Sequence, residues 1–481
     1  MPSEWAAEPI CTDRPGPYPP IADHRSPAAF SSPIQSVPTE VLAEILSYLS
    51  PGHLDNDMQA ILHECAQAAI IPPTHVCQRW RQIALHTPSL WNHITVNLAQ
   101  RDSTNAVECV ESWLARGGDC PLFVRVHCQG QDVEYQRGWD ALLATVIGHS
   151  CRWQEAAFHA PFLSTSLAGI RNRLPLLQTL GLALGRSVNL RNSFEAAPML
   201  WSVVNLNSHS LQNLRRLPWT QLTNFTTDVC SFTQALSMLK MMPRIVRFTA
   251  ELQSFLQIPL TPPLRLSELR HLALSYSGIG IDCLLDSLEL PSLAKLSLFE
   301  RPGARTTWST SLISLIHRSP CSDIATLDLA LSRYSGSEPL SLDGLIRVTP
   351  KLQTLDVRNE IHAFYSHRGS RDHSRLVQAL TASPACGTHP VPELQTLLLD
   401  YWDDFQVQLF VDMVESRWRV DSPGGPIKRI DCISLRRVPD AAIFDAVAMA
   451  RMREFVAEGL TLRVEVVAGE YHGYTLIPFD E

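Results

Sequence analysis

The sequence predicts an α/β protein in which a small N-terminal helical module precedes a curved solenoid of short repeats, with parallel strands on the concave face. Two observations carry this reading. Apolar residues fall at helical spacing between positions 34 and 98, and a six-residue aliphatic pattern recurs through much of the rest. Composition agrees: 45% of the 481 residues are hydrophobic and 18% are charged, so wholesale disorder is excluded.

Residues 1–33 hold eight prolines and no sustained apolar periodicity, which predicts a disordered lead-in. From Val37 the pattern changes. Pro38 suits a first helical turn, Glu40 adds an acidic group near the amino end, and Leu42, Ile45, Leu46 and Leu49 share one face. Pro51-Gly52 stops this helix. A second amphipathic stretch covers about 57–69, and Pro72-Pro73 breaks it. A third runs from Thr74 to about His86 and groups Val76, Trp80, Ile83 and Ala84. Beyond Pro88, Leu90, Trp91 and Ile94 are expected to fold back, completing an all-helical domain over 34–98 with Trp80 and Trp91 in its core.

After a linking helix at about 106–115, residues 99–481 repeat one pattern: aliphatic, two variable, aliphatic, one variable, aliphatic. Good copies start at Leu177, Leu269, Leu293, Ile324, Leu352 and Leu394, and degenerate ones at Trp153, Ile245 and Ile427. Starts at 245, 269, 293, 324 and 352 are separated by 24, 24, 31 and 28 residues, which is leucine-rich repeat spacing with insertions. In such a unit a short strand buries alternate aliphatic residues, and stacking supplies the pairing that one strand lacks. Helical segments such as 311–317 and 374–380 are expected to cover the outer side.

The period assigns the exposed strand positions. The substrate-facing candidates are His271, Lys295, Phe299, Asp328, Asp356, Arg358, Asp400 and Trp402, with Phe299 and Trp402 as aromatic anchors for a protein partner or, equally, packed against adjacent loops. Asp400, Asp403 and Asp404 read as a solvated face instead of a catalytic carboxylate pair. No nucleophile, base and orienting group are linked by spacing, and the 17 histidines include no HExxH arrangement, so neither an enzyme nor a cofactor is expected. Lys plus Arg total 40 against 48 Asp plus Glu; the net charge of -8 makes nucleic acid an unlikely partner. Twelve cysteines without a CxxC pair argue against a zinc knuckle or disulfide scaffold, and no apolar run is long enough to cross a bilayer. A cytoplasmic or nuclear protein is expected.

Three ordered pieces carry a resemblance: Val37-Pro38-Thr39-Glu40-Val41-Leu42 with Ile45-Leu46, then Val76 to Ala84 around Arg79-Trp80-Arg81, then Thr87-Pro88-Ser89-Leu90-Trp91. Together they resemble an F-box-like domain in the form common in large fungal families, where an irregular leucine-rich repeat region follows. The resemblance implies docking on the SKP-family adaptor of a cullin-based ubiquitin ligase, with the repeats presenting a protein substrate. Pro38, Leu42, Ile45 and Leu46 would then lie in or beside the adaptor contact, with Val76, Trp80 and Ile83 shaping the second helix. The interval from Pro51 to Pro72 is longer than the compact motif uses. The alternative is a repeat scaffold that binds protein without a ligase partner.

Overall fold

The computed structural model describes residues 34, 36–48, 72–97, 103–127, 133–160, 167–184, 190, 192–205, 216–253, 262–277, 280–301, 308–319, 323–332, 342–360, 374–381, 389, 391–402, 405–419, 427–440, 443–468 and 473–476. The expected lead-in at 1–33 and the helix at 57–69 lie outside them.

The chain opens with helix α1 (Thr39–Ser47), a 3-10 turn (Pro72–His75), helix α2 (Gln78–Leu85) and a second 3-10 turn (Pro88–Trp91). The third expected helix is therefore shorter, because Pro72-Pro73 holds the preceding turn and Cys77 caps α2, its Sγ accepting from the Trp80 amide at 3.5 Å. Leu42, Leu46, Ile83, Ala84, Leu90 and Trp91 form this module's core, and Trp80 packs against it half-buried.

The module is not all-helical. His93–Asn97 is strand β1, the edge of a 15-stranded sheet. Its β-branched Ile94, Thr95 and Val96 favour extended backbone, and Trp91, Ile94 and Val96 repeat the aliphatic spacing of the later units with an aromatic in first place. The sheet continues through β2 (Leu122–His127), β3 (Trp153–Ala160), β4 (Thr179–Leu184), β5 (Ser202–Asn205), β6 (Asn224–Ser231) and β7 (Arg247–Gln253). Two short strands, β8 (Leu264–Arg265) and β10 (Leu288–Glu289), pair separately. Around them run β9 (His271–Ser277), β11 (Lys295–Glu300), β12 (Thr326–Ser332), β13 (Thr354–Glu360), β14 (Thr396–Asp400), β15 (Cys432–Val438), β16 (Thr461–Ala468) and β17 (Gly473–Leu476). Spatial order follows chain order without a crossover, and every pair is parallel except the closing β16/β17.

One register unites the body. Ile94, Val124, Ala156, Leu180, Val203, Phe225, Phe248, Leu272, Leu296, Leu327, Leu355, Leu397, Ile433 and Leu462 are successive Cα partners. All are buried. No single strand could keep such a residue from water; the column forms only when each unit lies on the last. A shared carbonyl reinforces the step: Arg270 O accepts from both the Ala294 and Lys295 amides at 2.9 Å. The copy expected at Ile427 sits three residues later, since Ile430, Ile433 and Leu435 are the buried set.

Helices close the inner face. After α3 (Ser103–Arg116) and α4 (Val133–Gly148) come α5 (Phe232–Met241), α6 (Ile281–Asp286), α7 (Trp308–Arg318), α8 (Leu342–Arg347), α9 (Ser374–Leu380), α10 (Val407–Trp418) and α11 (Ala446–Ala457). From α5 to α11 each packs on the next. The apolar stripe of α7, Leu312, Leu315 and Ile316, is buried, and α5 starts from a capping box between Ser231 and Gln234. Arg417 of α10 is wholly buried and donates from Nε to Leu380 O and from Nη1 to Val391 O, both at 2.7 Å. Burial lowers its pKa to about 10.

Candidate functional site

Helix α1 divides its residues sharply. Pro38 caps it, its carbonyl accepting from the Leu42 amide at 3.0 Å, while Leu42 and Leu46 point into the core. On another face Val41, Ile45 and Tyr48 are 48%, 47% and 80% exposed, and their i, i+4, i+7 spacing makes one apolar stripe. Val76, just before α2, is also exposed. Arg79 ties the two helices together by donating from Nη2 to the Val37 carbonyl. Of the seven adaptor candidates, Ile45, Val76 and Pro38 face solvent, Trp80 is half-buried, and Leu42, Leu46 and Ile83 are interior residues that shape the surface from beneath. Val41 and Tyr48 complete the exposed stripe; their helical phase is legible in the sequence, but which apolar face the core covers is not.

The F-box-like family model matches residues 34–97. No curated protein matches the chain. The F-box-like domain includes β1 and supports a general adaptor role in F-box-type complexes.

Trp113 of α3 joins the F-box-like core, with its ring 4.8 Å from that of Trp91 at 73°, while its neighbours Val110 and Leu114 belong to the core of the sheet. Arg116 lies over Trp91 with its guanidinium carbon 4.6 Å from the ring centre. The Trp91 Nε1–H donates to the Ala84 carbonyl at 2.7 Å. The domain is thus packed onto the sheet and not merely tethered to it.

The other surface is the face of the sheet opposite the helices. On β9 burial alternates strictly, with His271, Ala273, Ser275 and Ser277 half-buried and Leu272, Leu274 and Tyr276 inside. Lys295 is exposed and Phe299 half-buried. Further along, charged side chains from four strands form one alternating chain. Arg358 Nη2 is 3.1 Å from both Asp328 Oδ2 and Asp356 Oδ2, and Arg436 Nη2 is 2.5 Å from Asp356 Oδ1. Arg436 Nε then lies 2.9 Å from Asp400 Oδ1, and Arg437 Nη1 3.2 Å from Asp400 Oδ2. Three carboxylates thereby meet three guanidiniums. Burial raises the pKa of Asp328, and Arg358 opposes that shift.

Asp356, Arg358, Asp328 and Asp400 are therefore brought together, whereas His271 and Lys295 stand on β9 and β11 beside each other. Arg436 and Arg437 escaped the sequence reading because the register of their unit was misplaced, and Arg437 occupies a bulge with φ 61°. Asp400 is not part of a solvated face: it is only 3% exposed beneath its arginines. Trp402 is no surface anchor either. It is 2% exposed and meets Phe405 edge-on at 4.7 Å, within the apolar core that lines the sheet.

Nearer the F-box-like domain, His127 and His159 stack with ring centres 4.4 Å apart and Nδ1 atoms 2.7 Å apart, a separation with room for at most one proton between them. Burial lowers the pKa of His159. In the range below the ordinary value of 6.5 the unfolded chain binds more protons at this group, so its stabilising contribution is present above 6.5 and lost as pH falls through the folded pKa. Thermal melts across about pH 5–7 should show acid sensitivity that His159→Gln reduces; an unchanged pH profile in the variant would remove the pair from this role.

Among the described residues no group of three or more His, Cys, Asp or Glu side chains could hold a metal ion, and none of the seven described cysteines forms a disulfide with another described residue. Cys230 is buried, and desolvation with Asp228 nearby pushes its thiol up to about 12, which disfavours the nucleophilic thiolate. No described helix is long and apolar enough to cross a membrane.

Proposed function

We propose that the chain is a substrate-recognition subunit of a cullin-based ubiquitin ligase, acting in the cytoplasm or nucleus. Its F-box-like domain docks on an SKP-family adaptor, and its body is an irregular leucine-rich repeat solenoid that holds a protein substrate on a concave strand face. Bond-making chemistry then belongs to partner subunits, and this chain raises the local concentration of the substrate beside them. The exposed stripe of Val41, Ile45 and Tyr48 carries the adaptor half of the reading, since three large apolar side chains on one turn-aligned face are a costly surface for an isolated domain and a ready anchor for a partner. Substrate holding is supported by the strand face, where alternation along β6, β7 and β9 leaves one side of each strand partly open to solvent.

Co-purification with an SKP-family adaptor tests this directly. The full chain should co-elute with the adaptor, and Ile45→Glu should abolish co-elution while leaving the circular dichroism spectrum intact, because Ile45 is outside the core. Failure of the folded wild-type chain to co-elute would discard the ligase reading. The scaffold alternative, favoured by the long sequence interval between Pro51 and Pro72, would then stand.

A further inference from the structure

Most cations of the strand face sit against carboxylates. Arg301 reaches Glu251 at 3.4 Å and Ser275 Oγ at 2.9 Å, and Arg358, Arg436 and Arg437 belong to the alternating chain described above. Arg247, Arg270 and Lys295 differ. All three are exposed, and none lies within ion-pair distance of a carboxylate among the described residues. Register places Arg247, His271 and Lys295 side by side on three adjacent strands, with Arg270 next to His271. Like charges gathered at one end of three neighbouring strands repel one another.

The cluster borders an open groove of about 520 Å³ lined by Val246, Arg247, Ser267, Glu268, Arg270, His271 and Ser292. Glu268 is the one carboxylate in that lining, which also carries Arg247 and Arg270, with Lys295 beside it. The field is visible at His271: burial first, then Arg247, Lys295 and Arg270, lower its pKa.

From this geometry we infer that the groove between β7 and β11 binds a short peptide segment rich in oxyanions, supplied by glutamate and aspartate or by phosphorylated serine. Three adjacent strands span roughly 10 Å, the reach of about three extended residues, so consecutive acidic side chains can meet successive cations. Val246 offers an apolar contact at the groove wall, suited to a peptide and without use to a phosphate backbone. A chain with net charge -8 also repels long polyanions outside this patch. The inference deepens the substrate half of the proposed function and is independent of the adaptor.

Fluorescence anisotropy on the full chain, with no adaptor present, separates the two. Labelled hexaglutamate and a doubly phosphoserine-containing peptide are compared with hexaglutamine and with oligothymidylate. At least one acidic peptide should bind, more weakly as salt rises, and which one binds identifies carboxylate or phosphate as the source. The combined Arg247→Ser, Arg270→Ser and Lys295→Ser variant should lose about tenfold or more in affinity, whereas Glu268→Gln should bind more tightly. Because all four side chains are exposed, both variants should keep the wild-type melting temperature. Unchanged affinity in the combined variant, equal binding of hexaglutamine, or tighter binding of oligothymidylate through the same residues would each overturn the inference.

Discussion

Trp91→Ala should destabilise the chain by about 3–5 kcal/mol, the range for deleting a buried aromatic. The ring is 3% exposed and packs edge-on against Trp113, and Arg116 covers its face. Its indole N–H also satisfies the Ala84 carbonyl near the end of α2. Three losses therefore coincide: buried apolar area, a specific ring pair and a buried hydrogen bond. Because the module is small, α1 and α2 have few other apolar contacts to fall back on. Urea unfolding followed by tryptophan fluorescence and circular dichroism measures the cost, and a loss below about 1 kcal/mol would show that the ring does not fill this core. Trp80→Ala, at a half-buried position, should cost less.

A comparable loss is expected at the other end of the sheet, where Asp400→Ala should cost about 3–5 kcal/mol. The carboxylate is 3% exposed and neutralises Arg436 and Arg437 together. Removing it leaves two guanidiniums crowded on the strand face, with Asp356 and the Val357 carbonyl still engaging Arg436. The penalty arises mainly from that uncompensated charge. A second substitution, Arg436→Met, should accordingly return part of the stability lost in Asp400→Ala, since replacing both members of a buried pair is far milder than removing one. Urea unfolding of the single and double variants gives the coupling energy. A zero coupling, or a single-variant loss below about 1 kcal/mol, would place the pair in solvent-like surroundings.

The inner ladder was readable wherever leucine or isoleucine filled two or three of its positions, as at Leu272, Leu296, Leu327, Leu355 and Leu397. It was hidden where other residues occupy the same places. Phe225 and Thr227 stand in register with Phe248 and Ala250, and Val203 and Asn205 stand beside Phe225 and Thr227. Neither pair looks like a leucine repeat, yet neighbouring units supply the burial that their own composition does not announce. The same effect disguised β1, whose Ile94, like Trp91 in the turn before it, reads from the sequence as folding back onto the helices. Among site residues, the phase of α1 was legible and its inward and outward faces were not, because Leu42 and Ile45 are both apolar and only packing decides which is covered. For Trp402 the packed one of its two readings fits the structure, and the sequence could not choose between them because a strand's alternation can be extrapolated but the turn after it cannot. That Arg247, Arg270 and Lys295 have no ion-pair partner among the described residues is not legible in the sequence, since pairing depends on carboxylates far away along the chain.

The uncrossed succession of strands makes the sheet a ruler. Each step adds about 4.8 Å, so the seven steps from β1 to β9 separate the F-box-like end from the cationic groove by roughly 34 Å along the sheet. Deleting one whole unit between them would move a cargo nearer by a fixed increment without altering either terminus of that span, and inserting one would move it outward. Repeat number is therefore a length setting, adjustable in discrete notches, for whatever the two ends hold.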